Sequence, residues 1–158
     1  MIYIGVGSNL GNRKNNIDKA KYYLSLNGIQ INKFSNYYET FSWPNPRMPK
    51  YLNVIIQSKT KFSPKKFLKI FKSIENTLGR KNTHKNFPRT CDIDLISYDQ
   101  KIVNGPIIIP HKRMHQRNFV LFPLFELDKN WSHPKLKKSI DKLIFSLRIK
   151  DITSIKQI

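Results

Sequence analysis

Pro88-Arg89-Thr90-Cys91-Asp92-Ile93-Asp94-Leu95-Ile96-Ser97-Tyr98 is the stretch on which the reading of this chain turns. From Cys91 to Tyr98 it has the make-up of a buried strand. Alternation along a strand puts Asp92 and Asp94 on one face and Ile93 and Leu95 on the other. Two carboxylates held that close repel unless a cation lies between them or one takes up a proton. Oxygen ligands at a strand end suit a hard cation, and Mg²⁺ usually completes its shell with substrate phosphates. Arg89, just ahead of the pair, offers a planar fork that grips phosphate oxygens two at a time. An Asp-x-Asp pattern alone is weak evidence, because two solvated acids at a strand end would look the same.

Upstream of this strand, Ser63-Pro64 starts a helix with proline at the first helical position. Phe67, Leu68, Ile70, Phe71, Ile74 and Leu78 form its apolar face, and Gly79 ends it. Further back, Tyr51 to Lys61 reads as a strand, and residues 41–50, with three prolines, as a loop. Residues 29–40 contain another strand. Ile2 to Ser8 is the first strand, and a helix from about Asn12 to Leu26 follows, stopped by Asn27-Gly28. Residues 80–89 are polar and unpatterned, so they form a loop. The part from Arg80 to Phe87 is expected to move freely until an anion arrives and then to close over it.

Downstream, Asp99-Gln100 reads as the turn of a hairpin leading to Lys101–Val103, and Ile107–Ile109 as a short extended piece. Phe119 to Leu127 reads as a short helix that Pro123 should break or delay. A last helix over 139–148 would bury Ile140, Leu143, Ile144 and Leu147. The order β-α-β-β-α-β with a C-terminal addition predicts an α+β fold, the ferredoxin-like split βαβ sandwich. That fold hosts many unrelated functions and decides none of them.

A length of 158 residues predicts one domain. A single cysteine, Cys91, excludes an internal disulfide and fits a reducing cytoplasm. Apolar runs are far shorter than the ~18–20 residues of a membrane span, and Met1-Ile2-Tyr3-Ile4-Gly5 carries no basic leader. The net charge of +19 invites a nucleic-acid reading. However, the lysines are scattered without a basic block, as on a solvated surface, and the same field would help an anionic small molecule. Arginine says more. Of seven arginines, four (Arg80, Arg89, Arg113, Arg117) lie within the 38 residues around the aspartate pair, which marks a phosphate-handling stretch.

From Tyr3 to about Leu127 the chain resembles the 6-hydroxymethyl-7,8-dihydropterin pyrophosphokinases of folate biosynthesis. The resemblance is carried, in order, by Gly7-Ser8-Asn9-Leu10-Gly11, Tyr51-Leu52-Asn53, and Glu75 with Leu78-Gly79-Arg80. It continues through Pro88-Arg89-Thr90-x-Asp92-x-Asp94 and Pro110-His111-x-x-Met114-x-x-Arg117-x-Phe119-Val120-Leu121-x-Pro123-Leu124. It implies transfer of pyrophosphate from ATP, as co-substrate, to the hydroxymethyl group of a reduced pterin, with release of AMP. On that resemblance Asp92 and Asp94 would hold two Mg²⁺ ions, and Arg80 and Arg89 would act on the phosphates. Glu75, Lys85, Leu95, His111, Lys112 and Arg117 would bind ATP. Thr40, Phe41, Trp43, Tyr51, Asn53 and Phe119 would bind the pterin. Two departures fall in the loops. Lys85-Asn86-Phe87 stands where the family has Arg, an aromatic residue and Gly, and Thr40-Phe41-Ser42-Trp43-Pro44 stands for Thr-x-Pro-x-Gly.

The resemblance further implies a monomer with small-molecule partners and no nucleic acid or membrane. The positive field on a ferredoxin-like sheet leaves an RNA-binding module as one rival, although the aromatic signature of such domains is absent. A Mg²⁺-dependent nuclease or phosphatase using the aspartate pair is the other.

Overall fold

Alternation along β1 (Ile2–Ser8) sets up the two faces of the central sheet. Ile2, Ile4 and Val6 point into one apolar core, whereas Tyr3 points into a second. The computed structural model describes residues 1–80 and 87–158. In chain order, β1 is followed by α1 (Arg13–Leu26), β2 (Gln30–Phe34), β3 (Tyr38–Thr40), β4 (Tyr51–Lys59), α2 (Pro64–Thr77) and β5 (Asp92–Tyr98). Next come a 3₁₀ turn (Met114–Gln116), α3 (Asn118–Leu127), β6 (Ser132–His133), β7 (Lys138–Ser139), α4 (Ile140–Phe145), α5 (Ile149–Thr153) and β8 (Lys156–Gln157).

The main sheet runs β5-β1-β4-β3-β8, with β2 also paired to β4, and every pairing is antiparallel. The fold is therefore mixed α and β around an antiparallel sheet, as the sequence predicts. Helices α1 and α2 bury Ile17, Ala20, Leu24, Phe67, Phe71 and Ile74 against Ile4, Val6, Val54, Ile56, Ile93 and Leu95. On the opposite face α3 and α4 bury Val120, Leu121, Leu124, Ile140 and Leu143 against Tyr3, Ile55 and Ile96. That second layer covers only part of its face. The uncovered part is where the aspartates point.

Local sequence explains the ends of these helices. The Asn12 side chain accepts from the Asn15 amide (3.1 Å) and starts α1. Gly28 and Gly79, at φ 78 and 81, leave α1 and α2 in the left-handed conformation that glycine tolerates best.

Four expectations need correction. Residues 29–40 form two strands, because Ser35 breaks the run. Its amide donates to Ile55 O (2.9 Å) while its hydroxyl accepts from Ile55 N (3.0 Å), so a side chain takes over one rung of the ladder. Lys101–Val103 makes no hairpin with β5. Asp99, at φ 48, turns the chain away with its amide on Met1 O (2.7 Å), and Val103 bridges Ile109. Pro123 neither breaks nor delays α3, which runs on through it with Pro123 on the buried side. Finally, the last helix stops at Phe145, where the Ser146 hydroxyl takes the Leu143 carbonyl (2.7 Å), and the chain restarts as α5. No helix among the described residues is long and apolar enough to cross a membrane.

Candidate active site

The register of three neighbouring strands assembles the site. Asn53 on β4, Gly7 on β1 and Asp92 on β5 are cross-strand partners, and Ile55, Gly5 and Asp94 form the next row. Side chains in both rows rise from the uncovered face, and the two glycines keep its middle flat. A Cβ on Gly7 would meet Asn53 Oδ1 at 3.0 Å and the Tyr51 ring at 3.4 Å. One on Gly5 would meet the Ile96 side chain at 3.2 Å. Asn53 Nδ2 donates to Thr40 Oγ1 (3.2 Å) and Tyr38 O (3.3 Å), which places its Oδ1 over Gly7. Above this floor lies a cavity of about 1190 Å³, walled by the 41–46 loop, Tyr51, Arg80, Arg89, His111 and Arg117.

Arginines ring the two aspartates. Asp92 Oδ1 accepts from Arg80 (2.8 Å) and Arg89 (3.0 Å), and Asp94 Oδ2 accepts from Arg117 (3.5 Å). His111 Nε2 stands 3.9 Å from the same Asp94 oxygen. Burial and the charge of Asp92 push the Asp94 carboxyl above its usual range, against the pull of Arg117, Arg80 and Arg89. Burial works against the charge of Arg89, but Asp92 and Tyr51 outweigh it and its pKa rises. Burial and the neighbouring Arg117 and Arg113 bring His111 down to about 4, so its imidazole is neutral at pH 7.

Arg80 and the segment that carries His111 and Arg117 each have an identifiable support. The His111 amide donates to Ile96 O (2.9 Å), and fully buried Met114 anchors the turn that follows. His111, Arg113 and Arg117 therefore leave a short fixed segment on the cavity side. Glu75, 9% exposed, lies under the site and does not line the cavity. It accepts from the Ile93 amide (2.8 Å) and from Arg80, tying the end of α2 to the start of β5.

Of the residues expected at the site, Arg80, Arg89, Asp92, Asp94, His111, Arg117, Thr40, Phe41, Trp43, Tyr51, Asn53 and Phe119 all line this one cavity. Leu95 does not reach it: alternation with Asp94 turns its side chain into the α1–α2 core. Lys112 is exposed and also lies off the cavity. Lys85 and most of the expected closing loop lie outside the described residues.

A family model described as 7,8-dihydro-6-hydroxymethylpterin-pyrophosphokinase matches residues 3–129. The chain belongs to that family. It is a pyrophosphokinase of folate biosynthesis, a diphosphotransferase. The 2-amino-4-hydroxy-6-hydroxymethyldihydropteridine pyrophosphokinase of Aquifex aeolicus is 33% identical over 140 residues, which are 88% of this chain and 87% of that protein. The pyrophosphokinase of the same name in Synechocystis is 35% identical, over 89% of this chain and 73% of its own length. A mitochondrial folate synthesis bifunctional protein of Arabidopsis thaliana is 37% identical over 127 residues. This chain spans only 23% of that longer protein.

Within this pyrophosphokinase some wall residues escaped the sequence reading. Gly5 was legible in principle, since it alternates with Ile4 and Val6 along one strand in step with Gly7 of the first motif. Arg113, lying over the Trp43 ring (5.4 Å), carried only the general signal of a retained arginine. Ser146, Arg148 and Lys150 also line the cavity, from beyond the 3–129 match, and no motif announced them.

Proposed function

We propose that this chain transfers the terminal pyrophosphate of ATP to the hydroxymethyl group of 6-hydroxymethyl-7,8-dihydropterin and releases AMP. The observation that carries the reading is the transverse row Asn53–Gly7–Asp92, with the arginines at one end and the amide at the other. An amide that pairs with a pterin edge and a carboxylate that faces a triphosphate stand on adjoining strands of one floor.

Asn53 Oδ1 would accept from the pterin while Thr40 fixes the amide's orientation, and Tyr51 and Phe119 offer ring faces for the bicycle. Arg117 lies over Phe119 (5.4 Å) and would link that wall to the phosphates. At the other end Arg80, Arg89 and Arg117 are neutralised by Asp92, Glu75 and Asp94. A triphosphate would take over those arginine forks. Attack of the hydroxymethyl oxygen falls on the β-phosphorus, and charge develops on the oxygen bridging it to the departing α-phosphate. Arginines already gathered at that end would stabilise that charge once the triphosphate has drawn them from the carboxylates.

The donor set fits a hard cation. Asp92 and Asp94 are adjacent oxygen donors, and burial together with the charge of Asp92 already lifts the pKa of Asp94. Among the described residues no group of three or more His, Cys, Asp or Glu could hold a metal alone. Carboxylates plus substrate phosphates are the usual Mg²⁺ arrangement. Two Mg²⁺ ions held there would supply charge neutralisation and alignment of the triphosphate.

The strand order β5-β1-β4-β2, with α1 and α2 packed against one face, supports reading the core as the ferredoxin-like split βαβ sandwich. We take the protein to be a single-domain monomer of the cytoplasm, with small-molecule partners only. Product analysis tests the reaction. ATP and Mg²⁺ should give AMP only when the hydroxymethyl dihydropterin is present. Inorganic phosphate released without pterin would replace this reading with a phosphohydrolase.

A further inference from the structure

We infer that Asn9 is a positioning residue that holds the phosphate side and the pterin side of the cavity in register. The inference rests on the reading of Arg89 and the 41–50 loop given above. Asn9 is 3% exposed, in the turn between β1 and α1, and uses its amide in two directions. Its Oδ1 accepts from the Arg89 amide (2.8 Å), and its own backbone N–H donates to Arg89 O (3.2 Å). Arg89 is thus clamped at both backbone groups by one residue. Nδ2 of Asn9 donates to Ser42 Oγ (3.3 Å) and Pro49 O (3.2 Å), and Ser42 Oγ donates to Pro49 O (2.5 Å), which closes the base of the loop that carries Trp43. A shift of either wall pulls on the same amide. Displacements of an ångström in such supports are enough to slow an aligned transfer.

An asparagine amide has one acceptor and one doubly donating nitrogen, so the two arms can be cut separately. Asn9→Asp keeps the acceptor for Arg89 and sets a second oxygen against Ser42 and Pro49. It should leave kcat within about threefold and raise the pterin KM about tenfold. Ser42→Ala should raise the pterin KM alone. Asn9→Ala loses the side-chain arms and should also lower kcat about tenfold or more. In an Arg89→Ala background that kcat loss should shrink to less than about twofold, because Asn9 then has no fork to place. The inference is overturned if Asn9→Asp loses kcat and KM together, or if the Asn9→Ala and Arg89→Ala losses multiply. Should Asn9→Ala fail to fold, Asn9→Asp and Ser42→Ala decide. Wild-type protein that makes no AMP sinks the proposed reaction. Active wild type without this split of kcat from KM sinks only the role of Asn9.

Discussion

The two faces of the sheet are written by the same strands, yet one is closed and the other open. On the α1–α2 face, Ile4, Val6, Val54, Ile56, Ile93 and Leu95 meet helices that cover them completely. One residue along in each strand, Gly5, Gly7, Asn53, Asp92 and Asp94 line a cavity that α3 and α4 stop short of covering. The closed face supplies stability through buried area. The open face gives some of that up. It carries two like charges, two glycines without side chains to pack, and an amide aimed over the floor. Period-two alternation lets a single strand serve both ends.

Opposite effects of mutation should separate the faces. Asp94→Ala should lower kcat about a thousandfold or more, since it removes half of the facing carboxylate pair. Thermal stability should hold or rise, because the cost of a buried carboxylate and its repulsion by Asp92, which together lift the Asp94 pKa, disappear with it. On the closed face, fully buried Phe67→Ala should cost about 3–5 kcal/mol in denaturant unfolding. Whatever protein remains folded should turn over at a near-normal kcat. A large drop in stability for Asp94→Ala would place that residue among structural carboxylates and erase the contrast.

Between these extremes lies the covered half of the open face. His133, 4% exposed, uses Nδ1 to accept the Lys135 and Leu136 amides (both 3.2 Å) and packs edge-on against Trp131 and His115. Burial and neighbouring His115 bring it from the usual 6.5 to about 4. The folded state therefore refuses a proton that the unfolded chain accepts. The stability contributed is intact above pH 6.5 and declines as pH falls towards 4, by up to about 3 kcal/mol. His133→Asn can still accept both amides and should flatten that slope in melts between pH 7 and 4.5. An unchanged slope would assign the acid sensitivity to other groups.

How much of this was legible beforehand follows from where the information lies. Asp92, Asp94 and the arginines were legible because strand alternation and a retained guanidinium are local signals. The first two helices and the strands around them were likewise local, in caps, glycine stops and periodicity. Ser35 splitting a strand was not, because the rung it replaces belongs to Ile55, twenty residues away in the chain. Glu75 was expected to help hold the nucleotide; it lies beneath the cavity floor, holding Arg80 and the Ile93 amide, a contact that exists only after α2 packs on β5. Within the Gly7-Ser8-Asn9-Leu10-Gly11 motif the particular contacts of Asn9 were hidden for the same reason: its partners Arg89, Ser42 and Pro49 come from distant segments.

Gly7→Ala probes the floor itself. The added methyl would press on Asn53 Oδ1 at 3.0 Å and on the Tyr51 ring at 3.4 Å, so the amide must tilt. The pterin KM should rise about tenfold, the worth of one misaligned polar contact, while the ATP KM and the melting temperature hardly move. An equal rise in both KM values would mean that the methyl distorts β1 as a whole and not just its outward row.

The smallest effect belongs to the rim, where the cavity is closest to solvent. Trp43 is 67% exposed and packs under the Arg113 guanidinium, 5.4 Å from its ring centre, joining the 41–46 loop to the segment that carries His111. An exposed cation–π pair contributes only about 0.5–1 kcal/mol. Trp43→Ala and Arg113→Ala should therefore each raise the pterin KM about threefold, and the double variant should do no worse than either single one. Neither should shift the melting temperature, because no core residue loses a neighbour. A rise of about a hundredfold for Trp43→Ala alone would show the indole covering the bound pterin directly, and the open face would then be less open with substrate present than without it.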